Sequence, residues 1–168
     1  MINWLYYPKS RRPSMLTASV INAFETEAAA IDSAKHELSS HDVLMRVEPH
    51  LTQVGFRVEN GDKTEGPVLV PVLFGLRGKT EKYFHADAFH EDEGFVVEVE
   101  AGRAVANNQF LKDLFEACMM HEVYYVAIAV RNSHKGENDF EKVARFFDIL
   151  YASDRLKLPL YGVLLVGY

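Results

Sequence analysis

Between residues 17 and 38, apolar side chains recur at three- and four-residue spacing: Val20, Ile21, Phe24, Ala28, Ile31, Ala34 and Leu38. That period predicts an amphipathic helix, with Thr17 as N-cap and a break at Ser39, Ser40, His41 and Asp42. Residues 43–54 predict a second helical or mixed segment, interrupted at Pro49. Gly55 then opens FRVEN, a short strand ending in the turn signal NGD. The period shortens to two further along. Residues 68–74 (VLVPVLF) predict a strand whose Pro71 calls for an edge position or a bulge. Residues 83–89 and 95–100 predict two strands joined by the hairpin connection HEDEG. A helix is expected over 102–120, with Leu111, Leu114, Phe115 and Cys118 on one face. Residues 123–130 (VYYVAIAV) are nearly all apolar, as in a strand buried on both sides. Residues 139–151 read as a helix and 161–166 as a last buried strand.

The order is helix, three strands, helix, strand, helix, strand. With no internal repeat and no low-complexity linker, it predicts one α/β domain over residues 17–168 with a mixed sheet. If the hairpin's second strand and residues 123–130 are parallel neighbours, the connection between them is a right-handed crossover. Residues 1–16 are expected to form an irregular arm. They hold Trp4, Tyr6 and Tyr7, which could dock on the body or on a second subunit, and the basic Lys9, Arg11 and Arg12.

Composition narrows the class. A chain of 168 residues buries enough surface to fold without disulfides or a structural metal. The single cysteine, Cys118, lies in an apolar helical pattern and reads as core packing. It suits a reducing compartment. The N-terminus has no signal-peptide pattern, and no run of about 18 apolar residues is present. A cytoplasmic protein that does not span a membrane is expected. The formal net charge of −6 argues against indiscriminate nucleic-acid binding but leaves room for a local basic patch.

The chemistry concentrates in FHADAFHEDEGFVVEVEAG, where Asp87, Glu98 and Glu100 interrupt strand patterns. Acidic residues are poor strand formers and costly near a core. Side chains alternate between faces, so Glu98 and Glu100 share the face opposite Val97 and Val99, and His85 and Asp87 share the face opposite Ala86 and Ala88. With the turn centred on Asp92-Glu93, Asp87 lies opposite Glu98 and His85 opposite Glu100. Opposed carboxylates only about 5 Å apart repel, and a divalent cation removes that penalty. Mg²⁺ or Mn²⁺ suits such oxygens and is commonly held by one or two carboxylates plus water. Asp87 and Glu98 can reach one ion between them, with the Val99 carbonyl as an additional ligand. Glu100 can bind a second ion or take a proton from water. A solvated acid-rich hairpin is the bland alternative. His85, Asp87 and His90 offer a rival, histidine-based zinc site, although His90 has the opposite parity to His85.

An Asp on one strand followed by Glu-x-Glu on its partner, here Ala86-Asp87 and Glu98-Val99-Glu100, resembles the PD-(D/E)XK nuclease superfamily. So does the surrounding element order, which spans roughly residues 17–168. Ala86 stands where the motif has Pro, and Glu100 stands where Lys is usual. The resemblance implies a restriction-endonuclease-like αβββαβ core with helices flanking a mixed sheet. It implies Mg²⁺-dependent (or Mn²⁺-dependent) phosphodiester hydrolysis of nucleic acid, DNA in the first instance. Asp87 and Glu98 would hold the metal, with Glu100 as base or further ligand. Lys112 and Arg103 would neutralise phosphate charge, and Lys112 or Gln109 would replace the missing strand Lys. Glu37 or Glu48 is the candidate for an added acid from the first core helix. A homodimer would bring two sites to two strands. The alternative is a nuclease-like domain without catalysis that binds nucleic acid or protein.

Overall fold

A computed structural model describes residues 1–59, 66–102, 104–105, 107–133 and 136–168. Arg103 and the NGD turn signal lie outside the described residues. The elements are β1 (Asn3–Tyr7), α1 (Met15–Thr26), α2 (Ala28–Ile31), α3 (Ser40–Gln53), β2 (Arg57–Val58), β3 (Leu69–Phe74), β4 (Thr80–His85), β5 (Ala88–His90), β6 (Phe95–Val99), α4 (Gln109–Met119), β7 (Tyr125–Val130), α5 (Asp139–Ser153) and β8 (Gly162–Gly167). Six strands make one mixed sheet in the order β1-β8-β7-β6-β5-β2, and β3 and β4 form a separate two-stranded sheet. Strands β6, β7 and β8 are parallel; β1, β5 and β2 join their neighbours antiparallel.

Alternation along the central strands sends successive side chains into two different cores. Ala127 and Ala129 of β7 and Val97 and Val99 of β6 pack with Val20 and Phe24 of α1 and Val43, Val47 and Leu51 of α3. Val126 and Ile128 of β7 and Val96 of β6 pack on the other side with Phe110 and Leu114 of α4 and Val143 and Phe147 of α5. Both faces of the sheet are therefore covered by helices, as parallel strands require. The acid-bearing face of β6 is not a solvent face: Glu98 and Glu100 share the parity of Val96 and lie on the α4 side.

Local chemistry sets the boundaries. Ser14, rather than Thr17, caps α1: its side chain accepts from the Thr17 N–H at 3.1 Å, and Thr17 itself is buried. Residues Ser39 to Asp42 open α3 instead of breaking a helix, because Ser39 and Asp42 form a capping box. Pro49 sits inside α3, which the apolar stripe Val43, Leu44, Val47 and Leu51 holds against the sheet. The expected irregular arm is partly strand, with β1 paired along β8. Tyr7 anchors it, donating through its hydroxyl to the Ala144 carbonyl at 3.1 Å and to Asp148 Oδ1 at 2.9 Å. Helix α4 begins at Gln109, later than expected. Gly94 closes the β5–β6 turn at φ +60°, where an added Cβ would meet the Glu122 carbonyl oxygen at 2.1 Å. No helix among the described residues is long and apolar enough to cross a membrane.

Candidate active site

The β5–β6 ladder pairs Ala88 with Val97, Phe89 with Val96 and His90 with Phe95. That is the register expected from a turn centred on Asp92-Glu93, and its next step is Asp87 against Glu98. At that step side chains replace ladder bonds. Asp87 Oδ2 accepts the Val99 N–H at 2.7 Å, and the Glu98 carboxylate accepts the Asp87 N–H. The Asp87 carbonyl meanwhile accepts the Glu59 N–H at 2.8 Å, on the β2 side. The strands part here and leave two carboxyls at the opening.

The pairing of His85 with Glu100 does not occur. His85 faces Leu69 in the two-stranded sheet, because the chain changes sheets at Ala86-Asp87. The Glu100 N–H donates to the Ala129 carbonyl at 2.8 Å, continuing β6 along β7, and its own carbonyl accepts from the Tyr168 hydroxyl at 2.8 Å. The Glu100 side chain is within hydrogen-bonding reach of Asp113, on α4. Asp113 is 5% exposed and takes a 3.2 Å hydrogen bond on Oδ1 from Gln109 Nε2, whereas its Oδ2 has no donor among the described residues.

The protonation equilibria reflect this crowding. Burial pushes Asp87 up to about 6; the Val99 N–H opposes the shift and the Glu59 charge adds to it. Glu98 is part-buried. Burial first, then the charges of Asp87 and Asp113, hold its carboxyl well above the carboxylate range. Glu100 and Asp113 are both raised, chiefly by burial, and titrate as a pair. Lys112 pulls both down, but its ammonium lies on the exposed side of α4, 3.6 Å from Glu116.

The fold places Asp87, Glu98, Glu100 and, at the margin, Lys112 at one end of the sheet. It adds Asp113 and Glu59, which the sequence pattern does not single out. Neither candidate for an added acid from the first core helix acts on these carboxyls: Glu37 is exposed in a loop, and Glu48 accepts from Thr52 Oγ1 at 2.9 Å in a cleft lined by Phe56 and Val58. The two histidines of the zinc alternative separate, since His85 ends β4 while His90 packs edge-on against Phe56. Among the described residues, no three carboxylate, imidazole or thiol side chains close around a point that one ion could fill.

What the donor set can hold is set by its chemistry. Every side-chain donor is a hard carboxylate oxygen, the groups repel one another, and one buried oxygen has no hydrogen-bond donor among the described residues. A divalent cation of the Mg²⁺ or Mn²⁺ type suits such a set, with two carboxylates and a shell completed by water. The sole cysteine plays no part: Cys118 is half-buried on the core side of α4, and burial pushes its thiol up to about 11.

No family model matches the chain, and no curated protein matches it significantly.

Proposed function

We propose that the chain is a divalent-cation-dependent phosphodiesterase acting on nucleic acid, with DNA as its substrate class. The observation that carries this reading is the gathering of Asp87, Glu98 and Glu100 where β5 and β6 part. The element order supports it. Helix α3, the antiparallel run β2-β5-β6, helix α4 and the parallel strand β7 follow the αβββαβ order of the restriction-endonuclease-like core, with β3–β4 inserted between β2 and β5. The three strands of that run differ from those expected, since residues 68–74 belong to the insertion.

Asp87 and Glu98 would hold the ion, with the Val99 carbonyl as a backbone ligand. The chemistry supplied by such a cation, when bound, is polarisation of a phosphate and acidification of a water. Glu100 takes a proton from the attacking water on a carboxylate oxygen; burial and the neighbouring acids raise its proton affinity to about 8, and the positive charge of a bound cation would bring it down towards neutral, where a base works best. Val99 fixes Asp87 through its N–H, so the carboxylate needs no reorganisation. Lys112 lies close enough to Glu100 and Asp113 to act on both, and places a positive charge at the edge of the cleft. The β3–β4 hairpin carries exposed Arg77, Lys79 and Lys82, a basic stretch in an acidic chain, and joins the centre through the Ala86 N–H on the Val68 carbonyl at 3.0 Å. Such a stretch suits a phosphate backbone.

The test is cleavage of duplex DNA with Mg²⁺ or Mn²⁺ and with chelator. Asp87→Asn and Glu98→Gln should each lose at least about 100-fold in rate while remaining folded by circular dichroism. Wild-type rates in either variant would exclude the assignment. Two observations favour the second reading, a nucleic-acid-binding module without catalysis: Glu100 stands where the resembled motif has Lys, and Lys112 is engaged with Glu116. That module would bind DNA without cutting it and give no Asp87-dependent heat with Mg²⁺.

A further inference from the structure

We propose that Asp113, supplied by helix α4, is a cation ligand that works with Glu100 to form a second divalent-ion position beside the one assigned to Asp87 and Glu98. The inference rests on the metal-centre reading above and extends it to a residue off the strands.

The first support is position. The buried stripe of α4 is Phe110, Asp113, Leu114 and Ala117, spaced as the sheet-facing side of a helix. Phe110, Leu114 and Ala117 pack into the core between α4, α5 and the sheet. Asp113 takes a place in that stripe that packing alone would give to an apolar side chain. Its direction is inward, towards Glu100, and not outward with Lys112.

The second support is an unmet requirement. Asp113 is 5% exposed, Gln109 fixes one of its oxygens at 3.2 Å, and Oδ2 is buried with no donor among the described residues. Buried polar atoms are nearly always partnered, and an ionised oxygen left bare is the costly case. Its near neighbour Glu100 lies within hydrogen-bonding reach and donates only in the form that carries a proton; with both carboxyls ionised the oxygen is bare, and the ion would take that proton's place. The charges of Asp87 and Asp113 both press on Glu100, and Lys112, the cation among the described residues that acts on the pair, sits on the exposed side of the helix beside Glu116. A divalent ion between Glu100 and Asp113 would partner the bare oxygen and cancel the repulsion together. Two carboxylates and several waters are a sufficient shell for Mg²⁺ or Mn²⁺.

Mn²⁺ titration of the full chain, followed by calorimetry and by electron paramagnetic resonance, tests this without reference to activity. Wild type should bind two Mn²⁺ per chain, with the spectral broadening of neighbouring ions. Asp113→Asn preserves shape and should bind one, without the broadening. Glu100→Gln, on the other partner, should do the same if Asp113→Asn folds poorly. Asp87→Asn should also leave one ion, the one at Glu100 and Asp113. A wild type that binds one ion, lost in Asp87→Asn and unchanged in Asp113→Asn and Glu100→Gln, overturns this inference and leaves the nuclease reading standing. Two ions retained in Asp113→Asn overturn it equally. No bound Mn²⁺ in wild type overturns both.

Discussion

The Val99 N–H donates a 2.7 Å hydrogen bond to Asp87 Oδ2, across the point where two antiparallel strands stop pairing. Asp87 is held on its other side by the Glu59 N–H on its carbonyl. A side chain thus replaces a ladder bond, and the sheet opens a cleft without leaving that N–H unsatisfied. Glu98 answers with the reciprocal bond to the Asp87 N–H. The cost is a set of carboxyls kept close together, with Lys112 the compensating positive charge on Glu100 and Asp113 among the described residues.

That cost should be visible in stability. Asp87 has its proton affinity raised to about 6 in the folded state, against about 3.9 unfolded. Between these values the native state holds more protons than the unfolded one, so stability falls as pH rises. Glu98, Glu100 and Asp113 shift in the same direction. The acids that are lowered, Asp32, Asp42, Glu137 and Asp148, act below about pH 4, where their protonation removes stability. With chelator present, the melting temperature should therefore drop by several degrees from pH 5 to pH 8. Glu98→Gln should flatten the drop, and Mg²⁺ or Mn²⁺ should reverse it. A metal-free protein that melts higher at pH 8 than at pH 5 would count against the buried-acid cluster.

Lys112 tunes the proton acceptor from the side. Its charge favours the ionised forms of Glu100 and Asp113, so its loss raises their proton affinity further. In Lys112→Met the acid limb of the kcat/KM profile should move to higher pH. The move should be under about one pH unit, because the ammonium is largely exposed and screened. A profile that stays in place, or moves to lower pH, would remove Lys112 from the site.

The hairpin carries a separable claim about binding. Arg77, Lys79 and Lys82 are exposed, so replacing all three with Gln should leave the melting temperature nearly unchanged. DNA affinity should fall, and the slope of log affinity against log salt should shrink by roughly 0.9 for each phosphate no longer neutralised. An unchanged salt slope would show that nucleic acid does not follow this hairpin.

Much of this arrangement is legible in the chain. The period-two pattern and the HEDEG turn specify the β5–β6 register, and the apolar runs locate β7 and β8 to within a residue or two. What stays hidden depends on distant partners. β1 reads as an aromatic arm because only its pairing with residues 163–167 makes it a strand. Strand parity alone sets His85 opposite Glu100, because nothing local marks the change of sheet at Ala86-Asp87. Asp113 is masked in the sequence, where Leu111, Leu114, Phe115 and Cys118 suggest the apolar face of α4. The buried stripe begins at Phe110, and a polar residue three positions after it is the available signal.

The most direct measurement is anomalous scattering from crystals soaked in Mn²⁺. The expected result is a peak between Asp87 and Glu98, at about 2.1 Å from a carboxylate oxygen of each. No peak there at saturating Mn²⁺, with the two side chains ordered and turned to separate surfaces, would contradict the metal centre and the phosphodiesterase built on it.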